Sequence, residues 1–283
     1  MKYGIIAGNG RFPVIALETA RIQGDEAVAI AIKEEASPDV ERAAARCYWI
    51  SLGELGKLID TCKTEGITQI MMAGQVKHAK IFSSIRPDWR LIKVLGSLLH
   101  KNTDSLIGAV AKVLADEGIN LVDSTLLLKP LLASAGAIAK RRADADEQRD
   151  IEYGRRIAHA LASLDLGQSV AIAERACVAL EAMEGTDAML RRAASLVEGR
   201  RLTLVKASSR RRHLLFDVPV IGPGTIDTMI ETNTTALAVD AGRTLILDKE
   251  ELLAKANSAK IAIVGMEPMP EAFGTGKTGA GKA

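Results

Sequence analysis

Aromatic side chains are scarce in this chain: Phe, Trp and Tyr together make up 3% of 283 residues. A core without them is built mostly of Ala, Leu, Ile and Val. Charge of one sign is missing too. Thirty-seven Lys and Arg against 35 Asp and Glu leave a formal net charge of +2, which gives no footprint for nucleic acid. The basic clusters 140–142 and 210–212 are short. Only three cysteines occur, Cys47, Cys62 and Cys177. They form no CxxC pair and no metal-binding spacing, so free thiols in a reducing cytosol are expected. No uncharged run approaches the ~18 apolar residues of a membrane span, and the opening MKYGIIAG is too short for a signal peptide. A soluble cytoplasmic chain is expected, free to touch a membrane surface.

What is present reads as alternating strands and helices over about two domains. A strand at Lys2 to Ala7 runs into Gly8-Asn-Gly10-Arg-Phe-Pro13, then a helix near 14–22 and a second strand at 27–32. Pro13 suits a first helical position but occupies the third glycine place of GxGxxG, so the dinucleotide signal is weak. The loop is read either as a plain turn or as a contact to phosphate or sugar through Gly8 and Gly10. The strand at 69–73 repeats the pattern, ending in Gly74-Gln75-Val76-Lys77, where backbone and amide can approach a polar ligand. This alternation predicts a parallel, Rossmann-like α/β domain over 1–130. The charge-dominated stretch that follows predicts a linker at 131–149. A second α/β domain is expected over 150–268, and a disordered tail over 269–283 whose glycines only imitate a P-loop.

The segment Glu181-Ala-Met-Glu-Gly-Thr-Asp-Ala-Met189 places Glu181, Glu184 and Asp187 within seven positions at a strand-to-helix junction. Clustered carboxylates repel unless a cation or a proton lies between them, and a hard ion such as Mg²⁺ resolves the conflict. The plainer alternative is a capped helix start, with Thr186 as N-cap and acids near the positive end of the dipole. Gln168, beside Gly167, sits where an earlier helix hands over to a strand. Asp217 stands among apolar neighbours in Phe216-Asp-Val-Pro-Val-Ile-Gly222, and a lone acid there needs a partner, a proton or a metal.

Together, the segments 4–13, 73–76, 164–168, 181–189 and 216–222 resemble the LpxI-type UDP-2,3-diacylglucosamine pyrophosphatase family of lipid A synthesis. The resemblance implies a C-terminal catalytic domain joined to an α/β N-terminal one, with the lipid substrate between them. It implies Mg²⁺-dependent hydrolysis to UMP and 2,3-diacylglucosamine 1-phosphate (lipid X), and it places the family's essential aspartate on Asp217. Asp217 is then expected as metal ligand or water-orienting base. Glu184 and Asp187 follow in catalysis or at the metal, with Glu181 as a further ligand and Lys206 to offset developing charge. Gly8, Gly10, Gly74, Gln75, Gln168 and Thr186 are the expected substrate contacts. The family role also implies transient contact with the inner face of the cytoplasmic membrane; a homodimer is left open.

One departure stands out. Where the family carries Lys-Pro-x-Gln-(Asp/Glu)-x-Arg, residues 209–215 read Ser-Arg-Arg-Arg-His-Leu-Leu. Guanidinium groups bind phosphate oxygens bidentately, so the arginine run can compensate. The departure also keeps a second reading in play, a non-catalytic homologue that binds nucleotide-sugar lipid. A nucleotide-dependent oxidoreductase or transferase built on the Gly8 loop is disfavoured by the absent third glycine.

Overall fold

A computed structural model of the chain describes residues 1–74, 76, 86–97, 103–164, 166–208 and 218–267. The expectations for Gln75, Lys77, Asp217, segment 209–215 and the whole of the tail therefore fall outside the described residues.

The N-terminal half is a five-stranded parallel sheet in the order β3-β2-β1-β4-β5. Its strands are β1 (Lys2–Ala7), β2 (Glu26–Ile32), β3 (Arg46–Ile50), β4 (Gln69–Ala73) and β5 (Asn120–Leu121). Strands β1 and β2 are near-continuous apolar runs because both faces are covered. Helices α1 (Phe12–Ile22) and α2 (Asp39–Ala43) cover one face. Helices α3 (Leu55–Glu65), α4 (Trp89–Ser97) and α5 (Thr103–Asp116) cover the other. The chain runs from β1 outward to β3, then crosses back to β4 on the far side of β1. That reversal is a topological switch point at the carboxyl ends of β1 and β4, the place where open α/β sheets take ligands.

The C-terminal half is a six-stranded mixed sheet in the order β6-β13-β11-β9-β7-β8. Its strands are β6 (Gly136–Ala137), β7 (Ser169–Ala173), β8 (Ala176–Leu180), β9 (Leu202–Lys206), β11 (Thr234–Asp240) and β13 (Ala262–Met266). Helix α6 (Ala145–Ser163) packs Ile151, Ala158 and Leu161 on one face. Helices α7 (Thr186–Leu196), α8 (Pro223–Glu231) and α9 (Lys249–Ser258) pack Met189, Leu190, Ile226, Met229 and Leu252 on the other. Strands β7 and β8 form a hairpin, turned through Glu174 and Arg175 at φ 51° and 62°.

Part of the stretch expected as a linker is built into the C-terminal half. Strand β6 pairs antiparallel with β13, and α6 begins at Ala145, inside the stretch expected as linker. The reason is a capping box: Asp144 accepts from the backbone N–H groups of Asp146 and Glu147, and Glu147 accepts from that of Asp144. The dense charge of this stretch is a helix start, not a solvated tether.

The two halves meet through short strands β10 (Val220–Ile221) and β12 (Leu245–Ile246), which pair in parallel. Leu245 and Leu247 sink into the core formed by Ile5, Ala7, Phe12, Leu17 and Leu128 of the N-terminal half. Arg11, in the glycine loop, donates to Asp248 at 3.0 Å across this junction.

Candidate active site

Two groups of side chains gather at the edge of the C-terminal sheet where β9 and β11 end. The first lies towards α7. Strand β7 begins at this edge, so Ser169 sits opposite Lys206, the last residue of β9. Strand β8 delivers Glu181 to the same place, and the Glu181 N–H donates to the Ser169 carbonyl at 2.9 Å. Gly185, at φ 83°, turns the chain into α7 and presents Thr186.

The resulting contacts are short. Lys206 Nζ donates to Thr186 Oγ1 at 2.9 Å, and Thr186 Oγ1 donates to Glu181 Oε1 at 3.0 Å. Ser169 Oγ lies 3.1 Å from the same hydroxyl. A hydroxyl has one proton and two lone pairs, so Ser169 supplies the remaining donor. Gln168 N–H reaches Glu181 Oε2 at 3.3 Å. Glu181 and Lys206 are both buried, so this is a compact acid–hydroxyl–ammonium relay. Gly167 is pressed onto the Glu181 carbonyl so closely that a Cβ there would collide with it.

The three expected metal-site carboxylates part company. Glu181 is spent on Thr186 and Gln168. Glu184 turns outward to Arg192, which donates at 2.6 Å and holds the carboxyl below its ordinary range. Asp187 is exposed in the first turn of α7. Thr186 is the first residue of α7, not its N-cap; Gly185 takes that place and no side chain caps the helix. Among the described residues no three His, Cys, Asp or Glu side chains converge on one point. These carboxylates therefore do not by themselves make a Mg²⁺ site.

The second group lies towards α6 and has no counterpart among the sequence candidates. Asp240, the last residue of β11, is 2% exposed. Its Oδ2 accepts from the Ser208 N–H at 2.8 Å and from the Ser208 hydroxyl at 3.3 Å. His159 Nε2 stands 3.2 Å from Oδ1, and Arg243 Nε donates to Ser208 Oγ at 2.7 Å. Burial pushes the Asp240 carboxyl up, but His159, the Ser208 N–H and Arg155 outweigh it and hold the group below its ordinary value. A sequence signal for Asp240 existed: it ends the apolar run Ala236–Val239 with an acid, the feature that singled out Asp217.

In the N-terminal half the structure brings two substrate candidates together. Gly8 N–H donates to the Ala73 carbonyl at 2.8 Å, at the carboxyl ends of β1 and β4. Gly74, at φ 85°, lies so close to Asn9 and Gly8 that a side chain would strike their backbone. Gly10 sits at φ 93° and is exposed.

Comparison with known proteins follows this two-part layout. The LpxI N-terminal domain matches residues 2–131 and the LpxI C-terminal domain residues 134–264. A relative from Caulobacter vibrioides, named UDP-2,3-diacylglucosamine pyrophosphatase LpxI, is 30% identical over 277 residues, covering 94% of this chain and 98% of that protein. Among solved structures, the biotin carboxylase subunit of pyruvate carboxylase aligns at TM-score 0.26 and 15% identity, over 70% of this chain and 42% of its own. A biotin carboxylase domain of a thermophilic 2-oxoglutarate carboxylase gives 0.23 and 14%, over 60% and 34%. Overlaps that low carry no argument. Two domain matches that tile almost all of the described chain, and a relative aligned from end to end, show that this chain belongs to the LpxI family.

Proposed function

We propose that the protein hydrolyses the pyrophosphate of UDP-2,3-diacylglucosamine, releasing UMP and 2,3-diacylglucosamine 1-phosphate for lipid A synthesis. The observation that carries this reading is the alignment over 98% of the Caulobacter pyrophosphatase, which leaves neither domain out.

Splitting a phosphoric anhydride asks for charge neutralisation, an oriented water and a stabilised leaving group. Lys206 supplies a buried ammonium at the sheet edge, aimed by Thr186 and Glu181 rather than free to wander. The open N-terminus of α7 beside it offers backbone N–H groups to phosphate oxygens. The Gly8 and Gly74 loops, packed backbone to backbone at the carboxyl edge of the N-terminal sheet, are assigned to the nucleotide-sugar end. Asp217 is proposed as the residue that orients the water, on the strength of the FDVP motif. A Mg²⁺ requirement and a cytoplasmic site of action are proposed on the same resemblance. The ion would supply Lewis acidity at the anhydride.

Hydrolysis in ¹⁸O-labelled water, with Mg²⁺ and with excess chelator, tests the reading. UMP and lipid X should appear, and only with the metal. Tight binding of the lipid nucleotide without turnover would instead establish the non-catalytic homologue and direct attention to the divergent segment 209–215.

A further inference from the structure

In a chain with two tryptophans, one is 63% exposed: Trp89, the first residue of α4. One turn on, Ile92 is 56% exposed on the same face, while Leu91 and Val94 are buried against α3 and α5. Two cations flank the indole, Lys93 Nζ at 5.3 Å and Arg90 Cζ at 5.4 Å from the ring centre. Arg86, just before the helix, is exposed as well. Among the described residues, two acids near the indole are occupied. Asp88 turns inward, accepting from the Gly56 N–H at 2.6 Å and the Leu91 N–H at 2.9 Å. Glu117 pairs with Arg90 and with Lys63. The outward face of α4 is thus an indole and an isoleucine beside the cations Lys93 and Arg86, with Arg90 paired to Glu117.

Its position matters as much as its chemistry. Asp88 N–H donates to the Gly53 carbonyl, in the loop just past the carboxyl end of β3. Trp89 therefore lies at the same edge of the parallel sheet as Gly8 and Gly74. We propose that this face of α4 seats the protein on a lipid bilayer with anionic headgroups, turning the carboxyl edge of the N-terminal sheet towards the membrane. The proposal rests on the reading that the substrate is a diacylated lipid, which has to be drawn from a bilayer. Tryptophan settles at the water–lipid boundary, and lysine and arginine beside it meet lipid phosphates. A second copy fits the face less well, because a two-fold contact lays the same cationic patch of Lys93 and Arg86 against its own copy.

The test uses the full-length protein and sucrose-loaded vesicles, either of phosphatidylcholine alone or with about one-third phosphatidylglycerol. The protein should sediment with the anionic vesicles and be released by salt. Trp89→Ser with Ile92→Ser, and separately Lys93→Glu, should each weaken sedimentation roughly tenfold. In a Trp49→Phe background, the fluorescence of Trp89 should shift to the blue on binding. Equal sedimentation of the variants, or none by the parent, overturns the proposal. So does conversion of a dimer to a monomer by the Trp89 variant with vesicle binding unchanged. Turnover of substrate dispersed in detergent separates the two readings. Normal turnover without vesicle binding removes the membrane face alone. Vesicle binding through Trp89 without any turnover leaves the face standing and removes the pyrophosphatase reading.

Discussion

Lys206 donates to the Thr186 hydroxyl at 2.9 Å, and this contact joins the end of β9 to the start of α7. Because Thr186 is already saturated by Ser169, Lys206 and Glu181, the ammonium is fixed in direction before any phosphate arrives. Preorganised charge of this kind contributes most where charge develops in the transition state. Lys206→Met should lower kcat by about 100-fold or more while the thermal unfolding midpoint moves little. A loss confined to KM would make Lys206 a ground-state binder instead. Steady-state kinetics beside a melting curve decides between the two.

Gly167 stands where the sequence shows a helix handing over to a strand. In the structure it lies on the Glu181 carbonyl, and a methyl group has nowhere to go because both partners are backbone. Gly167→Ala should cost about 1–3 kcal/mol, as overpacking does, and should also slow turnover by moving Glu181 off Thr186. Denaturant unfolding read together with activity checks this. Unchanged stability would mean that the 166–168 turn can shift freely.

These two residues show where sequence reading succeeds and where it stops. The strands β1 and β4 were legible to the residue, because continuous apolar runs ending in glycine leave little choice of where the strand stops. The recurrence of strand, glycine and helix fixed the parallel sheet. The Glu181–Asp187 segment stood out by charge, but charge spacing cannot tell which carboxylate turns inward. Glu181 does so because Gly167, Ser169 and Thr186 close around it, and these are brought in by the β7–β8 hairpin and α7. Asp240 and His159 were missed for a similar reason: they are 81 positions apart and meet only when α6 crosses the end of β11. The capping box at Asp144 and Glu147 was readable, but the surrounding charge masked it.

Glu147 makes acid stability testable. It is 1% exposed, receives Arg141 in a two-pronged contact at 2.9 and 2.7 Å, and accepts from Thr235 at 2.6 Å. Burial raises its pKa, but Arg141, Thr235 and the Asp144 N–H outweigh that and hold it below the ordinary 4.5. A depressed carboxylate contributes stability that is present above its unfolded pKa and lost as pH falls through the folded one. The contribution is therefore complete above about pH 5 and disappears in the acid range below the ordinary value. Glu147→Gln should cost about 2–4 kcal/mol at neutral pH, because Arg141 loses its buried counter-charge. It should also flatten the pH dependence of unfolding in the acid limb. A variant as acid-sensitive as the parent would assign that limb to other carboxylates.

The pair Arg11–Asp248 joins the glycine loop to the start of α9, with Arg11 Nε 2.9 Å and Nη2 3.0 Å from the carboxylate oxygens. Two-pronged geometry favours it; the 66% exposure of the Arg11 side chain argues for a small value. A double-mutant cycle of Arg11→Ala and Asp248→Asn should give a coupling of about 0.5–1 kcal/mol, shrinking as salt is added. Asparagine is the right replacement because Asp248 sits at φ 46°, a conformation that Asn tolerates and Ala does not. The apolar contacts of Leu245 and Leu247 with the N-terminal core should outweigh this pair in holding the halves together. Leu247→Ala should therefore cost about 2–5 kcal/mol, well beyond the ion pair. A coupling above 2 kcal/mol, or a Leu247 variant as stable as the parent, would reverse that order and make the electrostatic contact the main clasp between the halves.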